Sequence, residues 1–111
     1  MSHADDVSIL AALADPIRLE IVNRLARARE VAGADLATHL GISRALLCHH
    51  AGILVSAGVV ARRKEGQTGY LSLNTARVRR CLGKLAGPAR QAKTRPSRPA
   101  VVKTPVRPKL R

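Results

Sequence analysis

The chain has 111 residues, with 20 Lys or Arg against seven Asp or Glu, a net charge of +13 and 46% apolar residues. This describes one small domain that can bury a core and still present a strongly positive surface; no apolar run approaches the roughly 20 residues that cross a bilayer, and the polar, acidic N-terminus is unlike a secretion signal. A single Tyr with no Trp or Phe argues against the aromatic stacking platforms of RNA and single-strand binders, and Cys48 and Cys81 lack the spacing of a zinc ribbon or disulfide framework.

In chain order, residues 5–13 read as a short helix capped by Asp5 or Asp6, with Ile9, Leu10 and Leu13 on one side. Asp15-Pro16 ends it and starts another, Asp15 as N-cap and Pro16 as first residue. Ile17, Ile21, Val22 and Leu25 form its stripe to about Arg27, leaving Arg18, Arg24, Arg27 and Arg29 toward water or phosphate. The helical period restarts around Gly33 with Ala34, Leu36, Ala37 and Leu40 and stops at Gly41, where glycine takes the left-handed conformation. Ser43 starts the next helix, which runs to about Ala57 before Gly58. Two helices joined by so tight a turn are a helix-turn-helix. On the second, Leu47, Ala51 and Leu54 share an anchoring face, while Arg44, Ala45, Cys48 and His49 lie off it and are placed to read duplex DNA.

Beyond Gly58 the period becomes alternating. Residues 59–64 and 70–73 flank Glu65-Gly66-Gln67-Thr68-Gly69 as a two-stranded hairpin, a wing whose Arg62, Arg63 and Lys64 are suited to phosphate. Asn74 or Thr75 then caps a last helix with an apolar seam of Val78, Cys81, Leu82 and Leu85, ended by Gly87-Pro88. That seam and the one on residues 9–13 exceed what so small a core needs and are read as a dimer interface. Residues 88–111 differ in kind: five of the six prolines, eight Lys or Arg and no acid predict a disordered basic arm. Twelve basic residues against seven acids leave +5 on residues 1–87, and the arm carries +8.

The ordered set Leu13-Ala14-Asp15-Pro16-Ile17-Arg18-Leu19-Glu20-Ile21, Asp35-Leu36-Ala37 with Gly41-Ile42-Ser43, Cys48-His49-His50 with Leu54, Ala57-Gly58-Val59-Val60 and Gly69-Tyr70-Leu71-Ser72-Leu73 resembles the ArsR/SmtB family of bacterial winged helix-turn-helix repressors over about residues 5–86. The resemblance implies a mainly α fold of about five helices plus a two-stranded wing. It also implies a homodimer through the first and last helices, and a palindromic duplex operator released when an effector, often a metal ion, binds. The chain departs from the family at its metal sites. The segment that carries the family's thiolates reads Glu30-Val31-Ala32-Gly33-Ala34-Asp35-Leu36, and residues 75–86 contain neither Asp nor His. Soft, thiolate-seeking ions therefore lack a ligand cluster.

The remaining metal candidates are His3, Asp5 and His39. With Met1 removed, the free amine and the His3 imidazole are adjacent nitrogen ligands for Ni(II) or Co(II), resembling the N-terminal arm of mycobacterial nickel and cobalt sensors. With Met1 retained, His3 is the third residue of a square-planar Cu(II) or Ni(II) site. An ordinary N-terminal segment is the bland reading. The DNA-contact set is Ser43, Arg44, Ala45, Cys48 and His49 on the recognition helix with Arg62, Arg63, Lys64 and Gln67 on the wing, Arg44 suiting guanine and the Ala45 methyl suiting thymine. His50 is expected to point inward and Cys81 to fill the dimer seam.

No nucleophile–base pair, phosphate-cradling glycine motif or carboxylate pair supports catalysis or a catalytic cofactor. The expected partners are a DNA operator and a second copy of the chain in the cytoplasm, without membrane, with a divalent ion such as Ni(II) as effector. Alternatives are a non-specific architectural DNA binder, a metal-independent or redox-responsive regulator, and a module that docks a regulatory partner protein.

Overall fold

The computed structural model describes residues 3–87. The described elements are α1 His3–Leu13, α2 Pro16–Ala26, β1 Val31–Ala32, α3 Gly33–Leu40, α4 Arg44–Ser56, β2 Val60–Glu65, β3 Thr68–Leu73 and α5 Thr75–Ala86. One compact unit ends at Cys81, and the last residues of α5 begin a second.

Helix starts follow the capping residues. The Asp15 carboxylate accepts the amides of Ile17 at 2.9 Å and Arg18 at 3.0 Å, with Pro16 in the first position, where its missing N–H costs nothing. Asn74 accepts the Arg77 amide at 3.3 Å and so caps α5. The first helix begins at His3, earlier than the sequence suggests. Asp5 and Asp6 therefore occupy its first turn, where the positive end of the helix dipole favours them, instead of capping it from outside.

The core is formed by one face of each helix and the start of the sheet: Ile9 and Ala12 from α1, Ile21, Val22 and Leu25 from α2, Leu36 and Ala37 from α3, Leu47, Ala51 and Leu54 from α4, then Val59, Val60, Leu71 and Cys81. Two of the seam residues read as dimer contacts, Ile9 and Cys81, are thus buried within the chain itself. Leu13 and Val78 are half-buried against the same core, while Leu10, Leu82 and Leu85, together with Val7, stay exposed.

The wing is longer and better braced than a free hairpin. The antiparallel sheet has three strands in the order β1-β3-β2, not two. Val31 pairs with Leu71 and Ala32 with Tyr70, tying the wing to the α2–α3 connection. Two residues are too short to show an alternating period; the strand exists because the edge of β3 supplies backbone partners. Pairing of β2 with β3 runs from Val60–Leu73 out to Glu65–Thr68, which shortens the tip to Gly66-Gln67, with Gly66 at φ 61°. The proposed arm of residues 88–111 lies outside the described residues. Among the described residues no helix is long and apolar enough to cross a membrane.

Candidate nucleic-acid interface

The turn between α3 and α4 is set by two local decisions. Gly41 adopts φ 70°, ψ 31°, and the Ile42 amide reaches back to the Ala37 carbonyl at 3.1 Å, closing α3. Ser43 is extended, and its Oγ accepts the Leu46 amide at 3.0 Å, opening α4. The Ser43 hydroxyl, counted among the DNA contacts, thus has a structural task at the helix start. Leu47, His50, Ala51 and Leu54 make the buried face of α4, and Arg44, Ala45, Cys48 and His49 are exposed.

Between α4 and the wing lies an open groove of about 530 Å³, lined by Gly33, Ala34, Arg44, Leu47, Cys48, Ala51, Arg62, Lys64, Gln67, Thr68, Gly69 and Leu71. Five of the nine sequence-derived DNA residues, Arg44, Cys48, Arg62, Lys64 and Gln67, meet on this one surface. Three of its lining side chains are cationic and none is acidic. Ala45 and His49 are exposed on α4 outside the lining, the His49 ring edge-on to His50 with centroids 5.2 Å apart.

Arg63 does not line the groove. Its side chain leaves the opposite face of β2, where Nε and Nη2 donate to the two oxygens of Glu30 at 2.9 Å each and Nη1 donates to Glu65 at 2.8 Å. The guanidinium also lies 4.7 Å from the centre of the Tyr70 ring, its cross-strand partner. The hydrogen bond from Arg63 holds the Glu30 carboxyl below its ordinary range, and the two carboxylates hold Arg63 protonated still more firmly than usual.

Sequence reasoning left Arg18 among the water- or phosphate-facing arginines, and the structure places it elsewhere. Its Nε donates to the Ala12 carbonyl at 2.7 Å, and Nη1 lies 3.1 Å from Nδ1 of His50, which is buried on α4 as expected. Asp15 completes the cluster. The Arg18 amide it accepts from is the main reason its carboxyl sits below 3.8, with the Arg18 guanidinium and the Ile17 amide acting in the same direction. The Asp15 N-cap was legible; a contact 32 residues away along the chain carries no sequence spacing.

The metal candidates lie on two elements, α1 and α3. His3 and Asp5 lie in the first turn of α1. His39 is exposed on α3, its Nδ1 3.2 Å from the Asp35 carbonyl of its own helix. Among the described residues no three His, Cys, Asp or Glu side chains form a group that could hold a metal ion. Neither Cys48, which is exposed, nor Cys81, which is buried, is in a disulfide.

Comparison with known proteins accounts for this arrangement. Residues 15–62 match the family model described as bacterial regulatory protein, arsR family. The chain is 35% identical over 68 residues to the transcriptional repressor SdpR of Bacillus subtilis (strain 168), covering 61% of this chain and 74% of that protein. It is 38% identical over 74 residues to the arsenical resistance operon repressor of Staphylococcus xylosus, covering 67% and 70%. The solved structure of an ArsR-like transcriptional regulator from Rhodococcus sp. RHA1 superimposes with a TM-score of 0.68 at 31% identity, covering 76% of this chain and 78% of that one. With its helix-turn-helix, its wing and these relatives, the chain belongs to the ArsR family of bacterial regulatory proteins.

Proposed function

We propose that the chain is a cytoplasmic, sequence-specific transcriptional regulator that binds a duplex operator as a homodimer. The observation that carries this is the groove between α4 and the wing, in which Arg44, Arg62 and Lys64 converge without a carboxylate beside them. Its shape suits a duplex whose backbone runs along the wing while α4 enters the major groove. Arg44, in the first turn of α4, reads a base edge; Arg62 and Lys64 hold phosphate. Exposed apolar side chains on α1, Val7 and Leu10, and separately on α5, Leu82 and Leu85, are each available to a second copy.

The relatives named as repressors support repression as the outcome of operator binding. For the effector we take the ion to be divalent and nitrogen- or oxygen-preferring. Ni(II) is first, as in the actinobacterial regulator associated with nickel superoxide dismutase, because the chain offers His3 near its N-terminus and no thiolate cluster. The arm of residues 88–111 adds non-specific affinity through its eight cations.

The test is selection of a duplex from a random pool by the full-length chain, followed by titration of that duplex across salt concentrations. Arg44→Ala is expected to relax the sequence preference at one position. Arg62→Ala and Lys64→Ala are each expected to lower the salt slope by about 0.9 with sequence preference intact. Enrichment of no sequence rules out the regulator and leaves an architectural DNA binder. Titration of Ni(II), Co(II), Zn(II) and Cu(II) with His3→Ala and His39→Ala alongside decides the effector: no binding above background removes the metal from the proposal.

A further inference from the structure

We propose that Arg18 and His50 are positioning residues that fix the rotation of α4 about its own axis, and so set operator affinity without touching DNA. The role rests on the DNA-binding function proposed above. The buried face of α4 is otherwise apolar, made by Leu47, Ala51 and Leu54. Apolar attraction is non-directional, so such a face seats a helix without defining its roll. A roll of about 20° moves a side-chain tip at the helix surface by roughly 2 Å. That is enough to break a base contact, whose donor–acceptor distance tolerates about 0.5 Å.

The directional contact on that face is His50. A guanidinium only donates, so Nδ1 of His50 accepts from Arg18 Nη1 at 3.1 Å and the ring carries its proton on Nε2. The same guanidinium donates from Nε to the Ala12 carbonyl at 2.7 Å, and the Arg18 amide is held by Asp15 at 3.0 Å. One planar group therefore joins the end of α1, the first turn of α2 and the middle of α4. The charged and titratable groups facing the His50 ring are Asp15, Arg18 and His49. Asp15 Oδ2 is 3.9 Å from the same nitrogen, beyond hydrogen-bond reach, and is already committed to two amides. The hold on His50 thus belongs to Arg18. Exposed on the flanks of the same helix stand Arg44, Ala45, Cys48 and His49. A partly buried polar pair adds little net stability over an apolar one of equal volume; what it adds is orientation.

The experiment uses the full-length chain, a duplex selected by the wild type and an unrelated duplex of equal length. His50→Leu and Arg18→Met are expected to lose about tenfold in affinity for the selected duplex, the scale of one lost base contact. Affinity for the unrelated duplex is expected to stay within about twofold, because phosphate contacts need no fixed roll. His50→Asn places an amide oxygen where Nδ1 stood and is expected to recover most of the loss; it serves as the folded comparator if His50→Leu is unstable. Imidazole nitrogen NMR is expected to show His50 Nδ1 as a hydrogen-bonded acceptor in the wild type and the loss of that hydrogen bond in Arg18→Met. A wild-type chain that selects no sequence removes the DNA-binding function and this role together. Selection by the wild type with unchanged binding by His50→Leu, equal loss on both duplexes, or no recovery by His50→Asn overturns the positioning role alone.

Discussion

Arg63 and Glu30 face each other across the base of the wing through two parallel hydrogen bonds of 2.9 Å, and Glu65 closes the other side of the guanidinium at 2.8 Å. A basic residue between two basic neighbours reads as a phosphate contact, yet its charge is matched twice over by carboxylates. We expect Arg63→Gln and Glu30→Gln to change operator affinity in the same direction, each lowering it by about two- to fivefold, the scale of an exposed ion-pair network. If Arg63 instead held phosphate, Glu30→Gln would free the cation and raise affinity. The opposite signs make fluorescence anisotropy on the two single variants decisive.

Asp15 ties its stability contribution to pH. Its carboxyl sits below 3.8 in the folded chain, so the unfolded chain binds the proton more readily. The contribution is complete above that value and is lost as pH falls through the folded one. Asp15→Ala removes the cap and is expected to lower Tm by about 5 °C at neutral pH. Asp15→Asn keeps the cap without the charge. Its Tm deficit against the wild type is expected to shrink as pH drops below about 4, and a deficit that is constant from pH 7 to 3 would contradict the assignment.

Two left-handed glycines are expected to behave differently. A Cβ on Gly41, at φ 70°, meets nothing within 4 Å, so Gly41→Ala carries only backbone strain, about 1–2 kcal/mol. A Cβ on Gly58, at φ 80°, would stand 2.7 Å from Arg77 Nε and 3.0 Å from its Cδ. Gly58→Ala is expected to cost about 1 kcal/mol more than Gly41→Ala, and Arg77→Ala in the same chain to remove that excess. Denaturant unfolding of the four variants checks the cycle; no coupling between positions 58 and 77 would contradict the clash.

Leu54, with no exposed surface, is the anchor of α4. Leu54→Ala is expected to destabilise the domain by about 3 kcal/mol, measured by denaturant midpoint.

Removal of residues 88–111 takes away eight of the 20 Lys and Arg. Overall DNA affinity and its salt slope are expected to fall, while the selected sequence stays the same. Loss of sequence discrimination on truncation would show that the arm reads sequence itself.

The order of helices was legible because their stops and starts are local: Asp15-Pro16, Gly41 with Ser43, Gly58 and Asn74 each act within three or four residues. So was the face of α4, since Leu47, Ala51 and Leu54 follow its period. The two-residue β1 was not, because its strand character belongs to the edge of β3 that it completes. Arg18 and Arg63 were read as free cations for a related reason: the partners that claim them, His50 and Glu30, lie 32 and 33 residues away. The ligand chemistry of His3, Asp5 and His39 could be named from the sequence, but not whether the fold gathers them; among the described residues no three such side chains form a group.

The tip of the wing has only Gly66 and Gln67 outside the Glu65–Thr68 pair. Side chains alternate along β2, so Arg62 and Lys64 share the groove side while Arg63 and Glu65 share the other. The length of that tip therefore acts as a polarity selector. A hairpin shifted by a single residue would swing the self-neutralised pair onto the groove side and turn the two unmatched cations toward Glu30, reversing which side of the strand attracts an anion while leaving every residue of the wing in place.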